Sequence, residues 1–175
     1  MAGLGKGCDY FKSLPGILKI IEFIVLLIAL GSVGYFFEEM GSATRKTDNL
    51  KFFLFVIIVA WILVIAFWLN FVSGLHEKMS AINWPLTHGV VFIVWAVLLL
   101  IASALLADAV KYYEDSHFCE LLDRVDTKQQ CEHLIVGTIF GFIAMVLFIV
   151  DAIIHFMMRS VRSTSTTTTT TVTVG

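Results

Sequence analysis

The sequence predicts an all-α protein: a bundle of four membrane-crossing helices with the N- and C-termini in the cytosol. Three observations predict it. Of 175 residues, 58% are hydrophobic and only 15% are charged, against about 25% charged in an ordinary globular domain. Four apolar runs, at residues 14–37, 50–72, 86–107 and 134–158, reach the ~20 residues that a hydrocarbon core requires. Within 52–69 and 90–106 polar residues do not recur at helical spacing, so neither run has the wet face of a soluble helix. A backbone in lipid must satisfy its own hydrogen bonds, which makes each run a helix. The composition argues against a disordered chain or a soluble enzyme. A net charge of −2 leaves no basic surface for a nucleic-acid backbone.

The segments follow in order. Residues 1–13 form a cytosolic N-tail carrying Lys6, Cys8 and Lys12. The first run is too long for a signal-peptide core and lacks a small-residue cleavage site, so it reads as a retained signal anchor. Short connections at 38–49 and 73–85 frame the second run, where Trp61 and Trp68 share a face as packing or lipid-facing bulk. The only sizeable loop, 108–133, carries seven carboxylates and three basic residues. Beyond the fourth run, residues 159–175 form a Ser/Thr-rich tail with almost nothing to bury, expected to be a disordered cytosolic spacer. Basic residues divide evenly between the two sides. Lys6 and Lys12, just before the first span, tip the termini toward the cytosol, and a disulfide in the third loop would agree by requiring an oxidising compartment there.

Four ionisable residues stand inside spans: Lys19 and Glu22 in the first, Asp151 and His155 in the fourth. Each costs about 2.5–3.5 kcal/mol to insert, so each asks for a reason. Spacings of three and four place each pair on one helix face. Lys19 and Asp151 fall at nearly equal depth, so a polar clasp between the first and last helices is the expected role. A proton path through Glu22, or snorkelling of Lys19 and His155 to the interface, are the alternatives.

Cys119 and Cys131 are expected to form a disulfide closing an eleven-residue segment. The alternative is a Cys₂His₂ zinc site with His117 and His133, whose spacing matches no common module; no metal is expected. Gly137, Gly141 and Ala144 make a small-residue face in the fourth span, suited to close packing within the bundle or to self-association. Gly31 and Gly34 thin the outer end of the first span similarly. Cys8, near the membrane, is a candidate for S-palmitoylation. Nucleophile elbows, zinc-protease motifs, phosphate loops and dinucleotide fingerprints are missing, and Ser103 and His88 are too distant on one helix to act as nucleophile and base. Neither an enzyme nor a cofactor is expected.

The string Leu14-Pro15-Gly16-Ile17-Leu18-Lys19-Ile20-Ile21-Glu22 resembles the opening of the MARVEL domain family, small four-span proteins that include the MAL-type proteolipids and the chemokine-like-factor group. The resemblance extends over nearly the whole chain and to the loop cysteine pair. It implies a non-catalytic membrane organiser acting in vesicle trafficking, at junctions or apposed membranes, or in membrane fusion. The implied partners are membrane lipids, including sterol-rich domains, other membrane proteins and further copies of the chain. The implied location is the plasma membrane or vesicles of the secretory and endosomal pathway. A small proton-coupled transporter built on Glu22, or an auxiliary subunit of a larger membrane protein, are the competing readings.

Overall fold

A computed structural model describes residues 13–40, 45–73, 84–117, 119 and 130–172; residues 1–12, Cys8 among them, lie outside the described residues. Four helices account for nearly all of what is described: α1 (Leu14–Met40), α2 (Thr47–Val72), α3 (Trp84–Asp115) and α4 (Gln130–Val172). Each contains an apolar stretch long enough to cross a membrane, at Leu14–Glu38, Thr47–Asn70, Leu86–Asp115 and Cys131–Met157.

Local chemistry sets the starts of two helices. Ser13 caps α1, its hydroxyl accepting a hydrogen bond from the Gly16 N–H at 3.3 Å. That satisfies one of the amides a first turn leaves without a helical partner, and Pro15 sits in that same turn, where its missing N–H costs nothing. The Lys46 carbonyl accepts from the Asn49 and Leu50 amides at the start of α2, and Asp48 lies in the first turn, where negative charge suits the helix dipole.

The helices stand in a ring in chain order, α1 against α2, α2 against α3, α3 against α4, with α4 closing back on α1. The two seams made by α4 are the most extensive. Buried positions recur every three or four residues, as in Leu26, Ala29, Val33 and Phe36 of α1 and Leu99, Ala102, Leu106 and Ala109 of α3. The inner face mixes large side chains such as Phe36, Phe53, Phe92 and Phe148 with many small ones. Ala29, Ala60, Ala96, Ala102, Ala144 and Ala152 are buried, while Ile24, Ile58, Ile93, Ile139 and Ile153 face outward. In lipid a large aliphatic side chain gains nothing by turning inward, whereas small ones let backbones approach.

Two boundaries depart from the sequence expectation. Helix α3 runs to Asp115 rather than ending near residue 107, because Ala109 and Tyr113 continue its buried face past the apolar core. Tyr113 meets Phe36 of α1, ring centroids 5.8 Å apart. The third loop is shorter by that much. At its start His117 takes a left-handed backbone conformation, φ 54°, and its N–H returns to the Glu114 carbonyl; such a residue, more often glycine or asparagine, stops a helix. Helix α4 continues past the membrane-spanning stretch to Val172, through the segment expected to be disordered. No glycine or proline falls between Gly141 and Val172, so nothing breaks the backbone ladder. Residues 173–175 lie outside the described residues.

Candidate functional site: a buried ion cluster

Helices α1, α3 and α4 bring five ionisable or polar side chains together near the end of the bundle that holds both termini. The Lys19 ammonium donates to Glu22 Oε2 at 2.8 Å and to Asp151 Oδ2 at 2.6 Å. His88 Nε2 lies 2.9 Å from the same Asp151 oxygen, an acceptor, so the imidazole donates there. His155 donates from Nδ1 to the Asp151 backbone carbonyl at 2.9 Å and stands 3.5 Å from Asp151 Oδ1. All five side chains are 0–1% exposed.

Aromatic faces complete the enclosure. Lys19 Nζ sits 3.7 Å from the centroid of the Phe92 ring, where the ring's negative face attracts a desolvated cation. The His88 ring lies between its neighbours in a stack, 4.2 Å from Phe92 and 3.9 Å from His155, with the edge of Phe67 against it at 4.4 Å. One carboxylate, Asp151, therefore gathers groups from three helices.

Lys19, Glu22, Asp151 and His155, the four residues singled out from the sequence, all take part. His88 does too, though sequence reasoning weighed it only against Ser103. A partial signal was available: counting ~1.5 Å per residue from the expected span starts at residues 86 and 14 puts His88 about 3 Å deep and Lys19 about 7.5 Å, on the same side of the membrane.

His88, Asp151 and His155 also offer three ligating atoms within 4.8 Å of one another. Their arrangement is that of a stack rather than of a coordination sphere. The two imidazoles are nearly parallel, 14° between planes, so an ion in the plane of one ring lies out of the plane of the other. Asp151 Oδ2 is already engaged by Lys19 and His88.

The remaining candidate residues fall elsewhere. Gly137 and Gly141 face inward: a methyl group on Gly137 would collide with Val33 of α1, and one on Gly141 would lie 2.5 Å from Ser103 Oγ of α3 and 2.8 Å from Phe53 of α2. Ala144 is buried on the same face. This small-residue face packs against the chain's own helices. Gly31 and Gly34, by contrast, have nothing within 4 Å of an added methyl. The Cys119 and Cys131 sulfurs are bonded, with Cα atoms 6.0 Å apart, which withholds both thiolates from a zinc site. His133 instead packs its ring on Tyr35, 5.0 Å between centroids. Ser103 and His88 are about 22 Å apart along α3.

Known proteins agree with this architecture. Residues 10–154 match the MARVEL family, described as a membrane-associating domain. The chain belongs to the MARVEL family. Among curated MARVEL-related proteins, plasmolipin of Danio rerio is 33% identical over 100 residues, covering 57% of this chain and 53% of plasmolipin. The chain thus spans about half the length of the curated relative it matches. No solved structure matches it. The MARVEL match takes in Lys19, Glu22, His88 and Asp151 and stops one residue short of His155.

Proposed function

We propose that this MARVEL protein is a non-catalytic organiser of membranes, with its termini in the cytosol, acting in vesicle trafficking, membrane apposition at junctions, or membrane fusion. One observation carries the reading: Lys19, Glu22, His88, Asp151 and His155 are buried and bond to one another, while the outward faces of the helices are mainly large and apolar. A protein so built meets its surroundings through lateral contact with lipids and other membrane proteins. The ion cluster serves as a clasp that fixes the register of α1, α3 and α4. The disulfide-closed, acidic third loop faces the lumen or exterior, and Cys8 is a palmitoylation candidate that would add an anchor at the cytosolic face.

A proton-coupled transporter is the competing function, favoured by the fully buried Glu22. Proteoliposomes separate the two. Purified protein is expected to give no proton-driven solute uptake; uptake that disappears on Glu22→Gln refutes the organiser reading. In intact cells a tagged copy is expected on vesicles, at lateral junctions or at fusion sites, and mild-detergent purification is expected to recover other membrane proteins with it. A stoichiometric complex with one larger channel or receptor would instead make it an auxiliary subunit.

A further inference from the structure

The seam between α1 and α2 is open at the end that holds Lys19. A crevice of about 290 Å³ there is lined by Lys19, Ile20 and Phe23 from α1 and by Val64, Ile65 and Trp68 from α2. Lys19 directs its ammonium into the ion cluster, so what it lends to the crevice wall is its methylene stem. Apart from the indole of Trp68 the lining is therefore hydrocarbon, and a polar occupant would forfeit most of its hydrogen bonds there.

The fastening of α2 explains why the crevice opens at this end. Polar ties hold α2 to α3 at Lys46, bonded to Asp108 at 2.6 Å, at Asn49, which donates to the Leu105 carbonyl, and at Val56, whose carbonyl accepts from Trp95 Nε1 at 3.1 Å. The crevice begins at Val64, about two turns beyond the last of these. The ion cluster, meanwhile, draws α1 toward α3 and α4 through its charged groups, whereas α2 contributes the Phe67 ring, packed on His88 and Phe92 of α3.

Both walls lie within membrane-spanning stretches, and Trp68 is two residues from the end of its span, at the level where tryptophans mark the interface. The crevice therefore opens sideways into hydrocarbon, with one end near the headgroups. Acyl chains lie there parallel to the helices and in overwhelming excess, so mass action favours them.

We propose that the crevice is a specific lipid site: one acyl chain of a bilayer phospholipid lies lengthwise between α1 and α2, against the stem of Lys19. The chain fills the gap that the ion cluster leaves beside α2 and keeps water from that flank of Lys19. The site rests on the membrane-spanning reading of the chain and is independent of which cellular step the protein serves.

The test uses the full chain in phosphatidylcholine nanodiscs doped with a phosphatidylcholine carrying a mid-chain diazirine, with adducts mapped by mass spectrometry. Adducts on Ile20, Phe23 and Ile65 are expected to exceed those on Ile139 and Ile153, which are 52% and 51% exposed on the outer face of α4. The expected excess is about tenfold, equivalent to ~1.4 kcal/mol of site preference. Ile65→Trp, placed to fill the crevice, is expected to abolish that excess and leave adducts on α4 unchanged. Even labelling of all outward faces in the wild-type protein overturns the proposal, as do preferential capture of a diazirine sterol at the same residues and crosslinks between copies there. The wild-type adduct pattern decides the matter even if the variant fails to fold. Loss of the crevice excess leaves the organiser reading standing, and the failure of that reading in cells leaves the adduct pattern untouched.

Discussion

Replacing Lys19 with methionine keeps the length of the side chain and removes the cation that bonds both Glu22 and Asp151. The wild-type ammonium makes contacts of 2.8 and 2.6 Å to two carboxylates that are 0% exposed. Two different magnitudes are in play. If the contacts were ordinary hydrogen bonds between membrane helices, the loss would be about 0.6 kcal/mol on average and about 1.7 at most. Removing one partner of a buried ion pair and stranding the other costs about 3–5 kcal/mol. Burial of both carboxylates away from water puts Lys19→Met in the second class. The measurement is SDS-driven unfolding from dodecylmaltoside micelles, followed by far-UV circular dichroism and tryptophan fluorescence. A second variant isolates the charge: Lys19→Met/Glu22→Gln/Asp151→Asn retains similar shapes and leaves a carbonyl oxygen to accept from His88. It is expected to recover most of the loss, to within about 2 kcal/mol of wild type, as buried ion pairs replaced as a unit commonly do. A Lys19→Met loss below about 1.7 kcal/mol, or a triple variant no more stable than the single one, refutes the clasp.

Three further outcomes are expected. Gly141→Leu forces a side chain against Ser103 and Phe53 and should destabilise by about 1–3 kcal/mol or more, whereas Gly34→Ala, into open space, should stabilise by up to ~1 kcal/mol through helix propensity; thermal unfolding in detergent compares them. Without reductant, Cys119 and Cys131 should resist maleimide, and Cys119→Ser/Cys131→Ser should lose roughly 2–4 kcal/mol; after mild reduction an impermeant maleimide should reach them from the exterior only. Lys46→Ala breaks a largely exposed pair with Asp108 and should cost about 1 kcal/mol or less, a difference that shrinks as salt is raised.

How much of this was legible in the sequence differs from residue to residue. The spans were legible because lipid imposes a length and forbids unsatisfied backbone, and both constraints act on each run separately. The meeting of Lys19 with Asp151 was half legible: spacing fixed their faces and depth, but their contact needed α1 and α4 to be neighbours, which only the closed ring supplies. His88 was hidden by lacking a charged neighbour on its own helix to draw attention to it. The length of α3 was obscured because Asp108, Lys111, Glu114 and Asp115 interrupt the apolar run while Ala109 and Tyr113 hold the buried face between them. The crevice beside α2 was not legible at all, since it arises from what the cluster pulls together and what it leaves out.

The bond between Lys19 and Asp151 joins residues 132 positions apart, and this sets an order on biosynthesis. At translation rates of about 5–20 residues per second, Asp151 leaves the ribosome roughly 7–26 s after Lys19. Throughout that interval the first helix sits in the bilayer with Glu22 as its nearest partner, its second carboxylate and His88's acceptor not yet made. Completion of the bundle therefore waits on the last helix. A chain cut short after its third helix would keep the Lys19–Glu22 pair but leave Lys19 and His88 without the Asp151 carboxylate that joins them.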